Sequence, residues 1–314
     1  VGGKERTVSA RTLAISQIVK PQSESNLDWQ RFWNRWFYIN VQSIKITPVL
    51  NRHRRNVGLC LRKNLRLGFD EMKFVAQTDV GKHRDRNEDA FDYDSDAGFF
   101  VVADGMGGLD AGDIASRVTV AIFQHGLSQP DALTSCNKAG RLALLHNLAI
   151  EANDQVYTYA NLYDFQTQMG TTLTAGFVSS SQLLYVHVGD SRIYLIRQDK
   201  IRQLTRDHSL VQEMVDMGKI SLDEARTHMQ RNIISQAIGL ESVIDVDCGE
   251  CQLEPGDILL ACTDGLHDMI TSDLEIAALI QTAETLDAGA SNLVQKALEN
   301  GGMDNITVVL VEIE

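Results

Sequence analysis

The chain has 314 residues, 44% of them apolar, and a formal net charge of -13. That length holds one large domain or two small ones, and the composition suits a globular protein with a sizeable core. Such acidity disfavours nucleic acid as a partner, no run approaches the ~18 apolar residues of a membrane span, and no signal-peptide pattern opens the sequence.

The first 71 residues stand apart. They carry 13 Lys and Arg against 5 Asp and Glu, a net of +8, whereas residues 72–314 carry a net of -21. Trp29, Trp33 and Trp36 and the basic run His53-Arg54-Arg55 all fall in this segment, which has no regular apolar period. One reading is a basic, aromatic arm for a membrane surface or a partner. The expected reading is a poorly ordered basic extension, native or not, because Met72-Lys73-Phe74 opens text of a different kind.

From there the apolar pattern predicts strands at 73–79, 99–103, 171–178, 183–188, 192–197, 257–262 and 305–312. Several are apolar throughout, as strands buried on both faces are. Helices are predicted at 111–127, 138–162, 207–217, 221–229, 272–282 and 287–299, with Asp287 capping the last and Asp273 or Ser272 the one before. Strand groups separated by helix pairs argue for an α+β layered domain. Five cysteines, an odd number, do not suggest a disulfide framework, and the cytoplasm is the expected compartment. Cys248-Gly249-Glu250-Cys251 is a lone CxxC without a second pair, a weak zinc signal.

Five acidic stretches read as one metal site written in pieces: Asn87-Glu88-Asp89, Ala103-Asp104-Gly105, Gly189-Asp190-Ser191-Arg192, Thr263-Asp264-Gly265 and Met303-Asp304-Asn305. Three follow strongly apolar runs. A carboxylate at the mouth of a buried strand is costly to desolvate unless a cation or a hydrogen-bond network compensates. Hard divalent cations take oxygen ligands, which makes Mg²⁺ or Mn²⁺ the expected cofactor. Taken singly, each Asp would fit a turn as well.

In this order the set resembles the PPM-type (type-2C) serine/threonine protein phosphatases, and their bacterial members in particular. The matching text runs TDVGKHRDRNED at 78–89, VADGMGG at 102–108, MGTTL at 169–173 and HVGDSRIYLI at 187–196. It continues with LTRDHSLVQEMVDMG at 204–218, RNIISQAIG at 231–239, CTDGLHDMI at 262–270 and DNITVVLV at 304–311. The resemblance implies that 72–314 is a catalytic domain built on a central sandwich of two antiparallel β-sheets flanked by helix pairs. It also implies a mobile flap at about 205–233.

For the site, the resemblance implies that Asp104 bridges two core divalent cations and that the Gly105 carbonyl ligates one of them. Asp264 and Asp304 hold the other, with Glu88 and Asp89 acting directly or through waters. In such sites two cations lower the pKa of a shared water for attack on phosphorus. Arg84 matches the arginine that grips the substrate phosphate. Asp190 with Asp264 matches an additional, weaker cation position, and Asp268 and Asn305 are expected to support the ligands. The chain departs from eukaryotic members at Met106, where they carry His, and at Leu109, where bacterial members often do. His228 in the flap is therefore the candidate acid for the leaving group. His187 and His208 are expected to pack or hydrogen-bond, and Met214, Met217 and Met229 to pack within the flap.

The implied function is hydrolysis of phosphoserine and phosphothreonine in proteins, opposing a cognate bacterial serine/threonine kinase, by a monomer. Two rivals are a phosphoprotein-binding pseudophosphatase and a flap-less type acting on signalling antagonists. The retained Asp104, Asp264 and Asp304 disfavour the first, and the flap text disfavours the second.

Overall fold

The computed structural model describes residues 72–108, 111–128, 137–162, 169–179 and 181–314. Expectations for 1–71, and for Leu109, lie outside the described residues.

Twelve described strands are β1 (Met72–Asp79), β2 (Ala90–Asp94), β3 (Phe99–Ala103), β4 (Gly105–Met106), β5 (Gly170–Thr171), β6 (Leu173–Ser179), β7 (Gln182–Val188), β8 (Arg192–Arg197), β9 (Lys200–Gln203), β10 (Asp247–Gln252), β11 (Ile258–Cys262) and β12 (Ile306–Ile313). The described helices are α1 (Ala111–Leu127), α2 (Lys138–Leu162), α3 (Leu210–Asp216), α4 (Leu222–Thr227), α5 (Asp264–His267), α6 (Asp273–Gln281) and α7 (Leu286–Glu299). One antiparallel sheet runs β1-β12-β11-β8-β9, the other β10-β7-β6-β3-β2, and β4 pairs with β5.

Alternation along β12 explains the layering. Val309 and Val311 face the second sheet, in a core with Phe100, Val102, Leu183, Ile193 and Leu259. Val308 and Leu310 face outward onto Ile276, Ile280, Leu293 and Val294 of α6 and α7. Both faces are therefore apolar and the strand reads as a continuous apolar run. Helices α1 and α2 pack together over the outer side of the second sheet. The domain is two antiparallel sheets between two helix pairs, as the resemblance implied. Removing a fully buried side chain such as Leu310 from this core costs about 2–5 kcal/mol.

Four differences from the sequence reading have physical causes. The edge strands β2, β9 and β10 carry polar, half-exposed residues (AFDYD, KIRQ, DCGECQ) and so lack an apolar signal. Expected strand 171–178 is split, Thr171 pairing with β4 and Leu173 with β7. Thr285, not Asp287, caps α7: its side chain accepts from Ala288 N at 3.1 Å, and Asp287 sits in the first turn. Finally, Met217 and Met229 do not pack; they are 64% and 97% exposed on the flap. Ser272 caps α6 as expected.

Candidate metal centre at the strand ends

The C-terminal ends of β3, β7 and β11 and the N-terminal ends of β2, β8 and β12 meet at one end of the sandwich, as the antiparallel registers require. Asp89, Asp104, Asp190, Asp264 and Asp304 therefore sit in neighbouring turns. Threonines lock two of them. Asp89 Oδ2 accepts from Thr263 Oγ1 at 3.0 Å and Thr307 Oγ1 at 2.7 Å. Asp104 N donates to Thr172 Oγ1 at 2.9 Å, and its carbonyl accepts from Thr172 N at 2.9 Å. Gly105 follows because a Cβ there would collide with the backbone of Gly112 and Glu88.

The charges are mutually unfavourable. Burial, then Asp304, Asp268 and Asp89, push Asp264 up to about 7. Burial also raises Asp89 to about 7, against the pull of its two threonine bonds. Asp190 rises to about 8 through burial and Asp264. Asp104 is held well above the usual carboxylate range by burial and by Asp89, Asp264, Asp190 and Asp304. Glu88 is raised by burial, with Arg84 opposing.

Whether cations fit can be tested on the oxygens. Asp89 Oδ1, Asp190 Oδ1 and Asp264 Oδ1 are buried with no hydrogen-bond partner. Orphaned buried carboxylate oxygens are costly, and hard divalent cations are the ligands that satisfy them. Among the described residues no three acidic, histidine or cysteine side chains close on one point as a preformed cage.

Arg84 stands at the rim, 51% exposed at its side chain, and donates from Nη2 to Asp304 Oδ2 at 2.6 Å. Its loop is held by Asn305. Asn305 Oδ1 accepts from Glu88 N at 2.8 Å, and Nδ2 donates to Val80 O at 2.9 Å and Arg86 O at 2.8 Å. Gly81 in the same loop has φ +77°, and a side chain there would strike the Asp304 carbonyl.

Beside Asp190 and Asp264 lies a cleft of about 100 Å³, lined from the flap by Leu222, Ala225, Arg226, Arg231 and Asn232. Ion pairs tie flap to body, among them Arg226 with Asp273 at 3.6 Å and Arg231 with Asp268 at 3.4 Å. Burial works against the charge of Asp268, but the His267 hydrogen bond, His267 and Arg231 together keep its pKa low. His228 ends α4, its Nδ1 accepting from Gln230 N at 3.2 Å. Cys248 is exposed and Cys251 buried on β10, so the strand's two-residue period turns them apart and they do not form a zinc pair.

Sequence reasoning did not single out Thr263, Thr307, Thr172, His267 or the pairing of Arg192 with Asp207. Arg192 Nη2 donates to Asp207 Oδ2 at 2.6 Å beneath the cleft. The runs CTDGLHD and LTRDHS contained three of these residues, but threonine is too common in strands to stand out.

Residues 81–300 match the family model described as protein phosphatase 2C. Serine/threonine phosphatase Stp of Listeria innocua is 38% identical over 239 residues, covering 75% of this chain and 94% of that protein. The solved serine/threonine phosphatase of S. agalactiae is 36% identical with a TM-score of 0.72, covering 77% of this chain and 100% of that one. The catalytic domain of phosphatase PstP, solved with two manganese ions, is 32% identical with a TM-score of 0.67, covering 77% and 97%.

Proposed function

The chain belongs to the protein phosphatase 2C family and is a metal-dependent serine/threonine phosphatase; from that premise we propose how its own residues divide the work. Asp104, Asp264 and Asp304, with the Gly105 carbonyl, would hold two divalent cations, Mn²⁺ or Mg²⁺. Glu88 and Asp89 would complete the set directly or through waters. Bound cations supply Lewis acidity toward a phosphoryl oxygen and lower the pKa of water. The observation that carries this reading is the trio of buried, unpartnered oxygens on Asp89, Asp190 and Asp264.

Arg84 binds the phosphate of the substrate with a charge-assisted, fork-shaped contact. Asn305 holds its loop in place. Thr172 fixes the backbone of Asp104, and Thr263 and Thr307 hold the carboxylate of Asp89, which limits reorganisation of the site during turnover. His228 is the flap's candidate proton donor to the leaving alkoxide; with Nδ1 accepting, the proton rides on Nε2. Asp190 with Asp264 forms the additional, weaker cation position. The substrates are phosphoserine and phosphothreonine proteins, and the opposing enzyme is a cognate serine/threonine kinase in the same cytoplasm. The phosphatase acts as a monomer, and no helix among the described residues is long and apolar enough to cross a membrane.

Turnover of a phosphothreonine peptide, with and without Mn²⁺, tests the reading. The full chain should require the metal, and Asp104→Asn should lose more than about 100-fold in kcat, the scale expected for losing metal-derived charge stabilisation. Metal-independent turnover would overturn it.

A further inference from the structure

The flap leaves and rejoins the domain through two stems that pair with each other. Leu210 N donates to Ile233 O at 2.9 Å, Ser235 N donates to His208 O at 2.8 Å, and Ser209 and Ile234 form a bridge. His208 joins this stem to the turn that carries Asp190. Its N–H donates to Gly189 O at 2.7 Å, and its ring Nδ1 accepts from Gly189 N at 3.2 Å.

The rest of the ring is equally committed. Nδ1 also accepts from Gln236 Nε2 at 3.1 Å, so both donors fall on the bare nitrogen and Nε2 carries the hydrogen. Nε2 then donates to Asp247 Oδ2 at 3.1 Å. Gln236 is itself clamped to the backbone of Asp245, donating to its carbonyl at 2.6 Å and accepting from its amide at 2.8 Å. Behind the ring, at 5.0 Å, stands His187, buried and bonded to Thr174 and the Arg206 carbonyl. Gly189 has φ +108°, and a Cβ there would strike Thr172, so the turn is confined to glycine. Asp190 is held from its other side by His267, whose Nε2 donates to the Asp190 carbonyl at 3.2 Å.

We propose that His208 is a positioning residue that joins the flap stems and the Gly189–Asp190 turn into one cooperative unit. The flap then cannot lift without disturbing the Asp190 carboxylate, and a cation at Asp190 holds the flap down. The proposal rests on the reading of Asp190 as the weaker cation position. The chemistry favours histidine because one rigid ring presents an acceptor to Gly189 and a donor to Asp247. Asparagine can place an oxygen near Nδ1 and keep the Gly189 bond. Glutamine reaches toward Nε2, keeps Asp247, and leaves the buried Gly189 amide without an acceptor.

The test uses the full chain with His208→Asn, His208→Gln and Asp190→Asn. Amide exchange is followed residue by residue in metal-free protein, and the Mn²⁺ dependence of phosphopeptide turnover is measured alongside. In His208→Gln the amides of Gly189, Leu210 and Ser235 should exchange together at least tenfold faster, and half-saturation by Mn²⁺ should rise several-fold. His208→Asn should keep both readouts within about twofold of the parent. If the two variants behave alike, changed or unchanged, His208 is only a packed core histidine and the proposal is overturned. It is also overturned if the flap amides speed up while Gly189 does not. Should Asp190→Asn leave the Mn²⁺ dependence untouched, the cation reading of Asp190 falls, and the exchange pattern alone decides the role of His208. A variant that fails to fold shows as global exchange, and Asp247→Ala, which removes only the Nε2 partner, then replaces it: it should leave Gly189 exchange within about twofold while the Gly189 bond persists, and a tenfold rise would count against the assignment of that bond to Nδ1.

Discussion

Arg84 and Asp304 are 220 positions apart in the chain, and the guanidinium of one donates to the carboxylate of the other at 2.6 Å. The contact joins the candidate phosphate grip to a candidate cation ligand at the rim of the site. It orients the guanidinium, and on the proposed role of Arg84 a phosphate oxygen would compete with Asp304 for the same donor.

Arg84→Ala should therefore raise KM for a phosphopeptide by about 10- to 150-fold, the equivalent of one charge-assisted bond of ~1.5–3 kcal/mol. Mn²⁺ binding, measured by calorimetry, should change little. Arg84→Lys should recover part of the loss, because an ammonium keeps the charge without the fork. Weakened metal binding at unchanged KM would assign Arg84 a structural role.

Asp190→Ala should retain two bound Mn²⁺ ions per chain yet turn over more slowly, with the deficit growing at low Mn²⁺. Elemental analysis alongside a Mn²⁺ titration checks this. A variant indistinguishable from the parent at every Mn²⁺ concentration removes Asp190 from the site.

His187 gives a pH signature. Burial, with His208 beside it, holds its pKa down at about 4 against an ordinary 6.5. Between those values the unfolded chain takes up the proton and the folded one does not, so the residue makes stability fall as pH drops from about 6.5 to about 4. The loss is roughly 3 kcal/mol at ~1.4 kcal/mol per unit. The raised carboxyls of Asp89, Asp190 and Asp264 act in the opposite sense in metal-free protein. The informative quantity is accordingly the difference between parent and His187→Gln in denaturant unfolding at pH 7 and pH 5. The parent should lose more stability on acidification than the variant; equal losses would count against a buried neutral His187.

Both sheets and every candidate site residue lie within 72–314. Expressed alone, that span should match the full chain in kcat/KM and melt within a few degrees of it. A drop of several degrees, or lost activity, would mean that residues 1–71 contribute to the catalytic domain.

Much of this was legible in the sequence because burial writes itself into composition. The run Phe99–Ala103 is buried at all five positions, and the expected helices 111–127 and 138–162 have the observed limits. Asp104 and Asp264 announced themselves as acids at the ends of such runs. Edge strands did not, because β2 and β10 each have a single strand neighbour and are held by backbone bonds that any side chain permits. Nor could spacing reveal that Asn305 bonds to Val80 and Arg86, residues brought to it only by the closed sheet. Thr263 and Thr307 were hidden likewise: their value lies in sharing one oxygen of Asp89, 174 and 218 positions away.

β1, the first described strand, hydrogen-bonds to β12, the last, along its whole length, and β12 is also what separates it from β11. A ribosome emitting this chain thus releases Arg84, Glu88, Asp104, Asp190 and Asp264 well before the strand that gathers them. Until Ile306–Ile313 has cleared the exit tunnel, β1 has no partner and the loop bearing Arg84 has no Asn305 to shape it. Closure of so distant a pair is slow on topological grounds, and meanwhile two apolar strand edges stay open to other chains. Without β12 the domain cannot gather these residues at one end of the sandwich, and its most aggregation-prone interval is the one before that strand pairs.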